Sequence, residues 1–170
     1  MGHSTRGAVG AACAALVGAI VLGAGLWSAA HAEGGIRMKP VDHAATLKEC
    51  GACHMAFPPQ FLPQRSWQEL LAHLDNHFGD NATLDPAVQA DILAYLTDNA
   101  ADAPATKNGK RFLRGIKPDA TPLRITQLAW WRGAHEEVDV SNLKATKVKT
   151  AANCVGCHKT ATKGYFGEGG

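Results

Sequence analysis

The chain has 170 residues, of which 46% are hydrophobic, 19% charged and 6% aromatic, and its formal net charge is +2. That balance suits one or two small globular domains and excludes a disordered chain, a collagen-like chain or a large multidomain enzyme.

The first 32 residues contain no Asp or Glu: Arg6 precedes the apolar run AACAALVGAIVLGAGLW, and Ala30-His31-Ala32 supplies a small-x-small cleavage pattern. Residues 1–32 therefore read as a cleaved secretory signal peptide. A retained anchor needs about 20 consecutive apolar residues, and this run is shorter and rich in Gly and Ala. Export would place the remainder in the periplasm, an oxidising compartment where bare thiols pair unless another chemistry consumes them. Cys13 leaves with the signal, and Cys50, Cys53, Cys154 and Cys157 remain beside His43, His54, His73, His77, His135 and His158.

Along the mature chain, Cys50-Gly51-Ala52-Cys53-His54 comes first. Ser66 followed by Glu69 has the form of a capping box, and Trp67, Leu70, Leu71, Leu74 and Phe78 then make one helical stripe that ends at Gly79. Asp85 as N-cap and Pro86 at the first helical position open another helix carrying Val88, Ile92, Tyr95, Leu96 and Asn99, expected against the first cofactor. ADAPATKNGK, residues 101–110, reads as a linker, and RFLRGIKPDATPLRIT as an extended, Pro-punctuated wrap. A helix over Thr126–Val138 places Leu128, Trp131, His135 and Val138 on one stripe. Cys154-Val155-Gly156-Cys157-His158 follows, and the terminal GYFGEGG is expected to fray. The linker also divides the charge: residues 33–103 carry 4 basic and 10 acidic side chains, residues 104–170 carry 12 and 5. Such asymmetry orients encounter with a redox partner, or draws the two halves together. Nucleic acid is not expected, because the Lys are not interleaved with aromatics.

Both Cys pairs are C-x-x-C-H, the attachment pattern of c-type haem. Two Cys three positions apart lie on one side of a helical turn, so their sulfurs can form thioethers to the two vinyl groups of one porphyrin. The next residue, His54 or His158, is then held under the ring with a nitrogen toward the iron. A disulfide or thioredoxin-like reading leaves the His after each pair unexplained. A zinc site built from pairs a hundred residues apart, each followed by an unused His, would be odd.

Each iron has a further axial position, where Met raises the potential relative to His and a vacancy would permit ligand chemistry. Between Cys53 and Cys154 the one Met is Met55, which directly follows a proximal His, and Met38 is remote. The candidates are therefore His43, His73, His77 and His135. On the helical wheels His135 lies on the apolar stripe and His77 at the edge of one, whereas His73 turns toward solvent and His43 suits a surface role. His77 is 23 positions after His54 and His135 is 23 before His158, which favours local pairing and leaves an exchange between halves open.

ECGACHMAFPPQFLPQRSW with HFG at 77–79, an I-x-x-Y-L helix, PLRIT, and a Trp-rich segment ending in His135 before ANCVGCH resembles the bacterial dihaem cytochrome c family over nearly the whole mature chain. Gly133 inside WWRGAH departs locally from good helix formation, at about 1 kcal/mol relative to Ala. The resemblance implies a mainly α protein, with a class I cytochrome c-like helical domain at 33–103 and a less regular segment at 104–170 around the second haem. It implies two covalently attached c-type haems, anchored by the four Cys, with bis-histidine irons held by His54, His77, His135 and His158. It also implies a periplasmic electron carrier between a membrane b-type cytochrome and a small soluble haem protein, meeting the membrane protein only transiently. The rival reading is an enzyme, peroxidase-like or a nitrogen-oxide reductase, with one open haem served by His73 or His43. A gas or redox sensor is a third, although no effector domain is evident in the chain.

Overall fold

A pair of two-residue strands ties the start of the mature chain to its end. In the computed structural model, which describes residues 35–167, β1 (Ile36–Arg37) runs antiparallel to β2 (Tyr165–Phe166), with Ile36 opposite Phe166 and Arg37 opposite Tyr165. Everything else is helix and turn: α1 (Ala44–Glu49), α2 (Gln64–Ala72), α3 (Pro86–Asp98) and α4 (Ala129–Ala134), joined by 3-10 turns. The protein is mainly helical. The signal peptide expected at 1–32 lies outside the described residues, as does the tail from residue 168; no helix among the described residues is long and apolar enough to cross a membrane.

Helix α3 forms where its sequence places it. Asp85 accepts from the backbone N–H of Ala87 and Val88, Pro86 occupies the first turn, and Ile92 and Leu96 are buried. It packs along α2 and against α1. Helix α2 differs from expectation at both ends. It begins at Gln64 rather than after Ser66, because the carboxylate of Asp102, 38 residues away, accepts from Gln64 N–H at 2.8 Å and caps the helix from outside. Ser66 is buried with its hydroxyl unpartnered, so it does not serve as a cap. The helix stops at Ala72, and although Trp67, Leu70, Leu71 and Leu74 are buried, Phe78 is 44% exposed.

The principal core joins Leu62, Trp67, Leu70, Leu71 and Leu74 to Ile92 and Leu96 on α3 and to Leu128 and Trp131 at α4. Residues from both sides of 103 thus share one apolar interior. Beside it, Phe61 and Phe112 meet edge to face at 5.5 Å, and Trp130 and Phe166 pack on Phe61 at 5.2 Å each. Burying side chains of this size stabilises by about 1.5–3 kcal/mol apiece.

The segment expected as a linker is anchored to this interior at three of its residues, Ala101, Ala103 and Gly109. Ala101 and Ala103 are buried, Ala101 N–H donates to Leu62 O at 2.9 Å, and Gly109 packs so closely that an added Cβ would fall 1.9 Å from Ala101 O. The C-terminal stretch is likewise held rather than frayed as far as Gly167. Gly164 has φ +77° and accepts from Met38 N–H at 2.7 Å, and a Cβ there would meet Met38 O at 2.3 Å. Gly164→Ala is therefore expected to cost at least about 1–2 kcal/mol for the left-handed backbone alone, before the carbonyl contact is relieved. Chemical denaturation of the holoprotein measures it, and an unchanged midpoint would contradict this account of the strand pair.

Candidate functional site

The two Cys pairs fold alike. Cys50–Ala52 and Cys154–Gly156 each form one 3-10 turn, and the following His closes it: His54 N–H donates to Cys50 O at 3.5 Å, His158 N–H to Cys154 O at 2.7 Å. In each pair the first Cys is half-buried and the second exposed, and none of the four is in a disulfide.

Opposite the first turn stands His77, its ring centroid 6.3 Å from that of His54 with the planes 23° apart. The chain presents it on a tight reversal in which His77 N–H donates to Asp80 O at 2.7 Å and Asp80 N–H returns to His77 O at 3.3 Å. The two residues between them, Phe78 at φ 58° and Gly79 at φ 109°, have the positive dihedrals of a type I′ turn. The Arg124 guanidinium lies 4.0 Å over the Phe78 ring and fixes this unusual phenylalanine. Burial lowers the His77 imidazole from the ordinary histidine value, helped by the His54 ring and by Arg124 and opposed by Asp80, which favours the neutral form whose nitrogen can donate a lone pair.

His135 meets His158 in the same manner, with ring centroids 6.0 Å apart and planes at 85°. The expected helix over Thr126–Val138 is shorter, Ala129–Ala134, and Val138 is 42% exposed. Trp131 O, which a continuing helix would offer to His135 N–H, accepts instead from His135 Nδ1–H at 2.8 Å, and the backbone N–H turns to Arg132 O. His135 thus ends its own helix. Its ring lies flat on Trp131, at 4.2 Å and 14°.

Three of the four imidazoles are oriented by carbonyls. His54 Nδ1–H donates to Met55 O at 2.7 Å, His135 Nδ1–H to Trp131 O, and His158 Nδ1–H to Gly167 O at 3.2 Å. A carbonyl accepts only from the protonated nitrogen, so Nε2 of each carries the lone pair, as a metal-binding histidine requires. Phe57 stacks on His54 at 4.7 Å and Phe166 abuts His158 at 5.7 Å. These supporting contacts of Met55, Phe57, Trp131, Phe166 and Gly167 went unread in the sequence; Trp131 and His135, four apart on one stripe, were the sole local signal.

The remaining histidines are occupied elsewhere. His43 caps α1 through Nδ1, lies 3.3 Å from Asp91 through Nε2 and stacks on Tyr95 at 4.6 Å. His73 is mostly exposed and sits 3.2 Å from Glu69.

These pairs suit a haem better than a zinc ion. Two imidazoles on opposite sides of one metal place ring centres about 6 Å apart, since the nitrogen bonds at about 2 Å and the ring centre lies about 1 Å beyond. Both observed separations fall there. No group of three or more His, Cys, Asp or Glu able to hold a metal occurs among the described residues, whereas a haem asks two axial side chains of the protein. Beside the second pair is a cavity of about 550 Å³ lined by Cys154, Cys157, His135, His158, Trp131 and Phe166. That lies within the roughly 300–1,000 Å³ of small-molecule and cofactor sites.

Comparison with curated proteins finds no match. Among solved structures, a diheme cytochrome c from Rhodobacter sphaeroides is 41% identical, with a TM-score of 0.68, covering 75% of this chain and 99% of its own. A crystal structure of DHC purified from Rhodobacter sphaeroides gives 40% identity and a TM-score of 0.60, covering 75% of this chain and 99% of its own. A diheme cytochrome of type c from Shewanella baltica gives 36% and 0.55, covering 71% of this chain and 84% of its own. The family model for dihaem cytochrome c matches residues 46–166. The chain belongs to the dihaem cytochrome c family, with two covalently attached c-type haems as its cofactors.

Proposed function

We propose that the protein carries electrons in the periplasm through two six-coordinate haems: one bound by Cys50 and Cys53 between His54 and His77, the other by Cys154 and Cys157 between His158 and His135. The observation that carries this reading is the facing of two imidazole pairs at 6.3 and 6.0 Å. The haems supply reversible one-electron chemistry, with a lower potential under bis-histidine than under His/Met ligation. The chain's part is to keep the ligands still: carbonyls fix the tautomers of His54, His135 and His158, and Phe57 and Trp131 hold two of the rings flat. A site that rearranges little on gaining or losing an electron suits a carrier.

The segment at 1–32 would direct export. The donor on this reading is a membrane b-type cytochrome and the acceptor a small soluble haem protein, with the opposed charges of the two halves setting the orientation of encounter. Against an enzyme with one open haem stands the commitment of His43 to Asp91 and Tyr95 and of His73 to Glu69.

Visible spectra of the oxidised and reduced holoprotein, with carbon monoxide added to the reduced form, test the assignment. Low-spin spectra without carbon monoxide binding are expected. A high-spin band, or binding at either haem, would overturn the carrier reading.

A further inference from the structure

A second cavity, of about 310 Å³, lies on the other side of β1 and of the turn at Pro59–Phe61. Alternation puts it there: Ile36 and Phe61 line the cavity beside His135 and His158, while their neighbours Arg37 and Gln60 line this one. Its cations are Arg37, Lys39, Lys107 and Arg111, and no carboxylate lines it. Only Lys39 has an acidic partner among the described residues, Asp42 at 3.1 Å on the exposed surface.

The two arginines are held in an informative way. The Arg37 guanidinium lies 4.5 Å over the Tyr165 ring, and that of Arg111 lies 4.7 Å over Phe112. Stacking on a ring fixes the plane of a guanidinium yet leaves its N–H groups along the edges unused. Neither side chain has a hydrogen-bond or ion-pair acceptor among the described residues, so both forks are oriented and unspent. The deep side is formed by Phe112, 2% exposed, and Gln60, 9% exposed.

Oriented guanidiniums and lysines with no acid beside them are the complement of an oxyanion. We propose that this cavity binds a small multivalent oxyanion of the phosphate or carboxylate class, with Arg37 and Arg111 as the forks. Both chemistries present paired oxygens that match the guanidinium edge. A single monovalent ion would leave most of the charge uncompensated. At about 30 Å³ of liquid volume per water, the space also exceeds what one or two waters fill. Occupation would discharge the basic face here, and would do so directly behind the wall of the second haem's cavity.

The test is calorimetric titration of the holoprotein with inorganic phosphate and, separately, with succinate, each against sodium chloride at equal ionic strength. One-to-one binding of either anion is expected, and which one binds assigns the source. Arg111→Gln and Arg37→Gln are each expected to weaken it about tenfold or more, since a hydrogen bond to a charged group contributes about 1.5–3 kcal/mol. Lys144→Gln, an exposed cation outside the lining, should leave it unchanged, and thermal melting of each variant checks that the fold is kept. Absence of saturable binding for both anions at millimolar concentration would overturn the proposal. So would equal affinity in the parent and the Arg37→Gln/Arg111→Gln double variant, because the heat would then come from the general surface charge.

Discussion

Replacing His135 by Ala is expected to convert the second haem from a low-spin centre closed to added ligands into one that binds carbon monoxide when reduced. The uptake should be about one molecule per chain against none for the parent, because an iron losing one of two imidazoles has an open position. Removal leaves a gap beside Trp131 and above His158 where the imidazole stood. His77→Ala should act in the same way on the first haem alone. The two centres can be told apart, because the angle between axial imidazole planes sets how the iron d orbitals split, and those angles are 23° and 85°. Two different low-spin ferric signals are expected in the electron paramagnetic resonance spectrum, and each variant should erase one of them. His43→Ala and His73→Ala serve as controls with both signals intact. A parent-like spectrum from the His135 variant would refute the ligand assignment.

Trp131→Ala has the largest expected effect on stability. The side chain is 9% exposed and belongs to the main core beside Leu128, and truncations of this kind cost about 3–5 kcal/mol. Its ring is also the surface on which His135 lies, at 4.2 Å. The variant should therefore weaken the fold and loosen the second axial pair together. Trp131→Phe keeps an aromatic face at that place and should lose less of both. Denaturant unfolding of the holoproteins gives the first quantity, and carbon monoxide uptake by the second haem gives the second. A loss below about 1 kcal/mol for the Ala variant would mean that Trp131 is not an essential part of this core.

The two facing imidazole pairs differ in how their side chains are delivered, and that difference explains which parts could be read in advance. His54 and His158 each sit one residue past a Cys pair, and one 3-10 turn carries both Cys and His, so position in the chain alone brings them together. The same locality made α3 readable, since Asp85, Pro86, Ile92 and Leu96 specify start, first turn and buried face within thirteen residues. His77 and His135 were ranked by helical stripes, yet neither stripe runs on as drawn. His77 lies past the end of α2 at Ala72 and is presented by a reversal at Phe78 and Gly79. His135 halts α4 by taking the carbonyl its own backbone would have used. The ranking picked the residues that face the proximal imidazoles, although the periodic helix it assumed is not what delivers them.

Chemistry whose partners lie within about a turn of one another was determined by sequence alone: the two C-x-x-C-H turns with the histidine that closes each, the cap and buried stripe of α3, and the uneven charge of the halves. Tertiary structure alone decided what depends on groups far apart along the chain. Asp102 reaches 38 residues back to begin α2, Gly167 accepts from His158 only because β2 is pinned to β1, and Ala101 is tied into the interior by Leu62 O. The physical reason is that a hydrogen-bonding or apolar group takes whichever partner the folded chain brings within reach, and local pattern names the group without naming that partner.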